Sequence, residues 1–177
     1  MGDFTGEELI QAAIFNDAEL MKCLLEGECA KLINFQDRRG RTAVYTSVSN
    51  NSLRCLRVLL EHGADPNIAA GETFNSMTPL HCAIIDLKLD IFKLLLSHGA
   101  DFTKQDGSGL TPKTVAENME LDEYVEEMEE EQAFAEACKA EDVSRMADIL
   151  ECNSSPTIHV KLVSNAVTDD GLTPLCW

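Results

Sequence analysis

One phrase recurs along this chain and limits what it can fold into. "TFNSMTPLHCAI" begins at Thr73, "DGSGLTPKTVAE" at Asp106 and "DDGLTPLCW" at Asp169, and "DRRGRTAVYTSV" at Asp37 aligns with all three. The anchoring threonines are Thr42, Thr78, Thr111 and Thr173, separated by 36, 33 and 62 residues. Recurrence near 33 residues points to stacked copies of one supersecondary unit, because a unit this short cannot bury its apolar faces alone. Thr-Pro after a Gly-containing turn also marks a helix start. The Thr hydroxyl can accept from a free N–H of the first turn, and Pro at the first helical position gives up an N–H that would go unused.

The second half of each unit repeats as well. "SLRCLRVLLEHGADPN" (Ser52 to Asn67) and "LDIFKLLLSHGADFT" (Leu89 to Thr103) align, and "AELMKCLLEGECAKLIN" offers the same helix in a first unit. Residues 76–83 and 94–101 carry the "T-P-L-H-x-A" and "L-L-x-x-G-A-D" motifs nearly letter for letter, so the chain resembles the ankyrin-repeat family. The resemblance implies an all-α solenoid of helix-turn-helix units joined by β-hairpin loops. Spacing assigns Leu80, Ala83 and Ile84 to the buried stripe of one first helix, and Ile91, Leu94 and Leu95 to that of a second helix. Gly63 and Gly99 end second helices as left-handed caps. "TGEE", with Thr5 and Glu8 in capping-box spacing, starts an N-terminal capping repeat whose Ile14 and Phe15 call for cover.

The array then becomes irregular. Repeats are expected over residues 5–36, 37–72, 73–105 and 106–130, but the fourth never reaches a "GAD" turn. From Lys113 to Ser155 there is neither Gly nor Pro, and residues 117–131 hold nine acids and no base. This stretch is either a solvated helix face with Val125 and Met128 buried, or an acidic docking surface. "AFAEACKAEDVSRMADILE" resembles the first unit, yet about one hairpin of chain is missing before it. That omission predicts a run-on or slightly bent helix around Tyr124 to Cys138. Residues 131–177 would then be an irregular fifth repeat plus the start of a sixth, a second ankyrin stack that continues past Trp177 in a longer protein.

A net charge of −17 argues against a phosphate backbone and so against nucleic acid as partner. No apolar run approaches the roughly 20 residues of a membrane-spanning helix. The seven cysteines (Cys23, Cys29, Cys55, Cys82, Cys138, Cys152 and Cys176) form no C-x-x-C, which reads as reduced thiols in the cytoplasm or, alternatively, the nucleus. His62 and His98 precede "GAD" as helix-end residues, and His159 stands alone; for His81, at the "TPLH" position, the family resemblance implies a structural hydrogen-bonding role. No pair has metal-ligand spacing, and adjacent His81 and Cys82 point in different directions on a helix. No nucleotide loop or hydrolase motif is present. The reading is therefore a non-enzyme without cofactor or metal.

What remains is a surface. The family resemblance implies a concave groove made by hairpin tips and first-helix ends. The tips carry Arg38, Arg39 and Arg41, then Phe74, Asn75 and Met77, then Ser108 and Leu110; the helix ends carry Ser49, Asn50, Ile85, Asp86, Asn118 and Met119. The three arginines suit a carboxylate or phosphate unless they pair with the protein's own acids. Phe74, Met77 and Ile85 form an apolar patch unless the insertion "AGE" (Ala70 to Glu72) buries them. The expected function is a monomeric scaffold or signalling module that binds a protein or peptide segment. Alternatives are the regulatory or substrate-recruiting part of an enzyme such as a kinase or ubiquitin ligase, an inhibitor that occludes an active site, or self-association.

Overall fold

A computed structural model describes residues 5–139. Eight α-helices follow one another: α1 (Gly6–Phe15), α2 (Ala18–Leu25), α3 (Ala43–Ser49), α4 (Leu53–Glu61), α5 (Pro79–Ile85), α6 (Leu89–Ser97), α7 (Pro112–Asn118) and α8 (Asp122–Lys139). They form four pairs. The first helices stack as α1 on α3, α3 on α5 and α5 on α7, while α2 packs on α4 and α6 on α8. The loops before α3, α5 and α7 are tight turns, closed by Asp37 N–H to Arg41 O (3.0 Å), Ala70 N–H to Met77 O (2.9 Å) and Asp106 N–H to Leu110 O (2.8 Å). Among the described residues none of these hairpins is long enough to form a strand.

Capping explains why the first helices start where they do. Thr42, Thr78 and Thr111 each accept a hydrogen bond from the backbone N–H three residues on, and Pro79 and Pro112 take the first helical position. Thr5 precedes α1 in extended conformation but makes no side-chain cap bond, so the capping box read from "TGEE" is not formed. Instead Glu8 N–H bonds the Thr5 carbonyl at 3.1 Å. Gly63 and Gly99 adopt φ of 82° and 81° after the second helices, the left-handed region in which Gly is unstrained.

The core follows the helical periodicity with small shifts. Leu80, Ala83 and Ile84 are buried, but α6 turns Phe92 and Leu96 inward beside Ile91 and Leu95, leaving Leu94 half-buried. Tyr124 and Met128 anchor α8, and Val125 is only partly buried. Tyr124 sits with its ring 4.8 Å from that of Phe92. Lys93 of α6 reaches Glu127 of α8, and Lys113 of α7 lies 2.9 Å from Glu129. As the missing hairpin predicts, α8 runs unbroken to Lys139. The rest of the fifth repeat, the sixth-repeat start, His159, Cys152, Cys176 and Trp177 lie outside the described residues.

Ala12, Ser47, Ala83 and Ala116 hold equivalent positions in the four first helices, all fully buried where neighbouring helices approach. The Ser47 hydroxyl has no hydrogen-bond partner there. A buried hydroxyl without a partner keeps its desolvation cost, so Ser47→Ala is expected to stabilise the fold by about 1 kcal/mol. Urea unfolding would show this as a higher midpoint at unchanged slope.

Candidate functional site

The hairpin tips are built by contact with each other. Gly71 N–H donates to Arg39 O at 3.1 Å, and one repeat on Gly107 N–H donates to Asn75 O at 2.7 Å. A Cβ at Gly71 would lie 2.3 Å from Arg39 O, so only Gly permits that approach. Asn75 also donates through Nδ2 to Asp106 Oδ2 and Ser108 Oγ, each at 2.9 Å. Asn75 and Ser108, read from sequence as contact residues, thus bond one another and hold adjacent tips in register.

The arginine cluster divides. Arg41 is spoken for: its Nε and guanidinium NH2 reach Asp37 Oδ2 at 2.9 Å and 2.8 Å, and its guanidinium carbon lies 6.0 Å from the Phe74 ring centroid. Burial pushes the Asp37 carboxyl up, but hydrogen bonds from Arg41 and from Arg39 N–H outweigh this and hold it below the usual value. Arg38 and Arg39 are exposed and form no ion pair among the described residues. With Glu7, Ile10 and Gln11 of α1, the arginines line an open cleft of about 220 Å³.

The apolar patch also divides. Phe74 sits in a short 3-10 turn, Glu72–Phe74, half-buried with its ring 5.6 Å from Tyr45, and Met77 is half-buried against the core. The "AGE" insertion therefore tucks both partly inward. Ile85 stays out, 44% exposed. Leu110 and Met119 are 38% and 40% exposed, and Ser49, Asn50, Asp86 and Asn118 are exposed at their helix ends. Asp86 binds Lys88 Nζ at 2.7 Å.

Sequence reasoning missed part of this row. Ile14 and Phe15, expected to be covered, are 37% and 75% exposed, and Leu87 is 58% exposed. Aligning the turns after the first helices would have exposed the signal, since Phe15 falls opposite Asn50, Asp86 and Met119. The turns also match in their bonding. Asp17, Ser52, Lys88 and Leu121 each donate an N–H to the carbonyl of Ala12, Ser47, Ala83 and Ala116, at 3.0, 2.7, 2.9 and 3.0 Å. The side chains of Ser52 and Lys88 then reach back one repeat, to Ala13 O (2.8 Å) and Val48 O (2.8 Å).

The polar side chains inside are structural. His81 Nδ1 faces Thr78 Oγ1 at 2.8 Å and Nε2 donates to Leu110 O at 3.0 Å, tying α5 to the next hairpin. Burial lowers its pKa, which favours the neutral ring whose Nδ1 accepts from Thr78 N–H at 3.3 Å. Cys82 bonds elsewhere, to Asp86 Oδ2 at 3.6 Å, and burial followed by the Asp86 charge pushes its thiol up to about 12. A thiol so far from ionisation is no nucleophile at neutral pH. His62 and His98 each place Nδ1 on the carbonyl four residues back, at 2.8 Å and 3.0 Å, where they close their helices. Among the described residues no group of three or more His, Cys, Asp or Glu side chains could hold a metal ion, and no helix is long and apolar enough to cross a membrane.

Comparison with known proteins agrees with this architecture. A family model described as ankyrin repeats (3 copies) matches residues 9–106. The chain is 35% identical over 114 residues to the ankyrin repeat protein FPV031 of Fowlpox virus (strain NVSL), covering 61% of this chain and 32% of that protein. It is 31% identical over 87 residues to transient receptor potential cation channel subfamily A member 1 of Homo sapiens, covering 49% of the chain and 8% of the channel. Over 114 residues it is 35% identical to BCL-6 corepressor-like protein 1 of Homo sapiens, covering 63% and 6%. The chain thus spans about a third or less of the length of these relatives. Repeats of this kind are generally protein-interaction modules. Thr-capped first helices, glycine-ended second helices, hairpin tips stacked at steps of 36 and 33 residues and a matching family model together place the chain in the ankyrin-repeat family.

Proposed function

We propose that this chain is a non-catalytic recognition module that binds a segment of a protein or peptide along the groove between hairpin tips and first-helix ends. The observation that carries the reading is the tip of the first hairpin. Arg38 and Arg39 are exposed and unpaired among the described residues of a chain with net charge −17, while Arg41 is fixed by Asp37 and Phe74. Two exposed arginines that form no ion pair among the described residues suit a carboxylate or phosphate on the partner. Leu110, Ile85, Asn118, Met119, Ser49 and Asn50 supply the contact surface beyond them, and Asn75, Ser108, Met77 and Asp86 support it.

The test substitutes Arg38→Glu and Arg39→Glu together and leaves Arg41 in place. Both side chains are exposed, so the melting temperature is expected to stay within about 2 °C of wild type. Partner affinity is expected to fall at least tenfold, which parallel affinity capture and titration of the captured partner would measure. Identical partners at identical affinity would sink the basic-tip reading. The scaffold and signalling roles, and a cytoplasmic or nuclear setting, belong to the same proposal.

A further inference from the structure

The turns that end the four first helices share one left-handed residue each: Asn16, Asn51, Leu87 and Glu120, with φ of 53°, 57°, 56° and 56°. Asn tolerates this region because its short polar side chain can satisfy the local backbone, whereas Leu pays for it in steric strain. Leu87 gains little burial in return, since it is 58% exposed. Strain held at an exposed apolar side chain suggests a role outside the folded core. Its neighbours on the same row agree: Phe15 is 75%, Ile85 44%, Met119 40% and Ile14 37% exposed.

The charges on the row are mostly negative, since Lys88 offsets only Asp86. Its turn residues carry the carboxylates Asp17, Asp86 and Glu120, flanked by Glu117 and Asp122. Lys88, the one cation within these turns, is engaged by Val48 O, Ser49 O and Asp86. Apolar anchors set among carboxylates complement a segment with the opposite charge and the same apolar spacing.

We infer that the row of left-handed turns, anchored by Leu87 and Phe15, docks a basic amphipathic peptide segment of the partner. This rests on the recognition-module reading and names the class of partner that the helix-end side of the groove takes. Leu87 stands in the strained conformation because an apolar side chain at the turn projects where Asn16 and Asn51 present only short amides.

The test uses the 177-residue chain and three synthetic 18-residue probes, read by fluorescence anisotropy. One places Leu at i, i+3, i+4, i+7 spacing among Lys to give an amphipathic helix, the second replaces Leu by Ser, and the third replaces Lys by Glu. The Leu/Lys peptide is expected to bind at least tenfold tighter than either control. Leu87→Asn is expected to raise the melting temperature by about 3–6 °C through relief of strain and to weaken the Leu/Lys peptide about tenfold. Leu32→Asn, at an exposed leucine past the far end of α2, is expected to leave that affinity unchanged. Equal binding of the Ser/Lys peptide would reduce the effect to bulk charge and overturn the inference. So would unchanged affinity in Leu87→Asn, tighter binding of the Leu/Glu peptide, or concentration-dependent light scattering abolished by Leu87→Asn, which would make a second copy the occupant. Any of these alongside partner loss in the Arg38/Arg39 variant would overturn this inference and leave the recognition module standing.

Discussion

Gly40→Ala is expected to cost about 2–5 kcal/mol, although its side chain would sit at an exposed hairpin tip. Two terms add. Gly40 has φ of 73°, a conformation that costs an L-residue about 1–2 kcal/mol. A Cβ there would also lie 2.5 Å from Gly71 N and 2.7 Å from its Cα, so backbone must move and the Arg39–Gly71 bond loosens, an overpacking term of about 1–3 kcal/mol. Gly63→Ala separates the two terms. Gly63 has φ of 82° with open space where its Cβ would go, so only the first applies, and about 1–2 kcal/mol is expected. Urea titration of both variants measures the difference. Equal losses would show that the tips do not depend on each other.

Phe92→Ala is expected to be more damaging still, by about 3–5 kcal/mol. Phe92 is fully buried between the third repeat and α8, with Tyr124 as its ring partner. Domains of this kind are stable by about 5–15 kcal/mol, so the variant would approach unfolding. Phe92→Leu keeps most of the volume and is expected to lose under about 1.5 kcal/mol. Hydrogen exchange would locate the damage: amides of α8 should lose protection in Phe92→Ala well before those of α3. Uniform loss across all helices would mean that the stack unfolds as one unit and that Tyr124 is no separate link.

The fold was legible because its determinants are local and repeated. Thr42, Thr78 and Thr111 act through the N–H three residues on, and Gly63 and Gly99 through their own φ. Residues whose partners lie a repeat away were harder to read. Nothing near Asn75 in sequence indicates that Asp106 and Ser108 will take its amide, and nothing near Arg41 indicates that it will lie beside Phe74. The buried face of α6 rotated by one residue toward Phe92 because a large ring fills the space against Tyr124, which periodicity alone does not weigh. Leu87 escaped notice because its significance lies in the sign of a backbone angle.

The side chains that reach back across the turns bear on how this stack holds together. Ser52 ties the second repeat to a carbonyl of the first, and Lys88 ties the third to the second. The equivalent residue opening α8 is Leu121, which has no side-chain donor to offer. Coupling along the array is therefore unequal: polar clasps join the first three repeats, while the fourth is held by ring packing, the His81 bridge and the lysine–glutamate pairs. In a nearest-neighbour description, such a joint sets where cooperativity is weakest. Salt, which screens the lysine–glutamate pairs but barely touches the buried Ser52 clasp, would loosen the fourth repeat more than the joint between the first two.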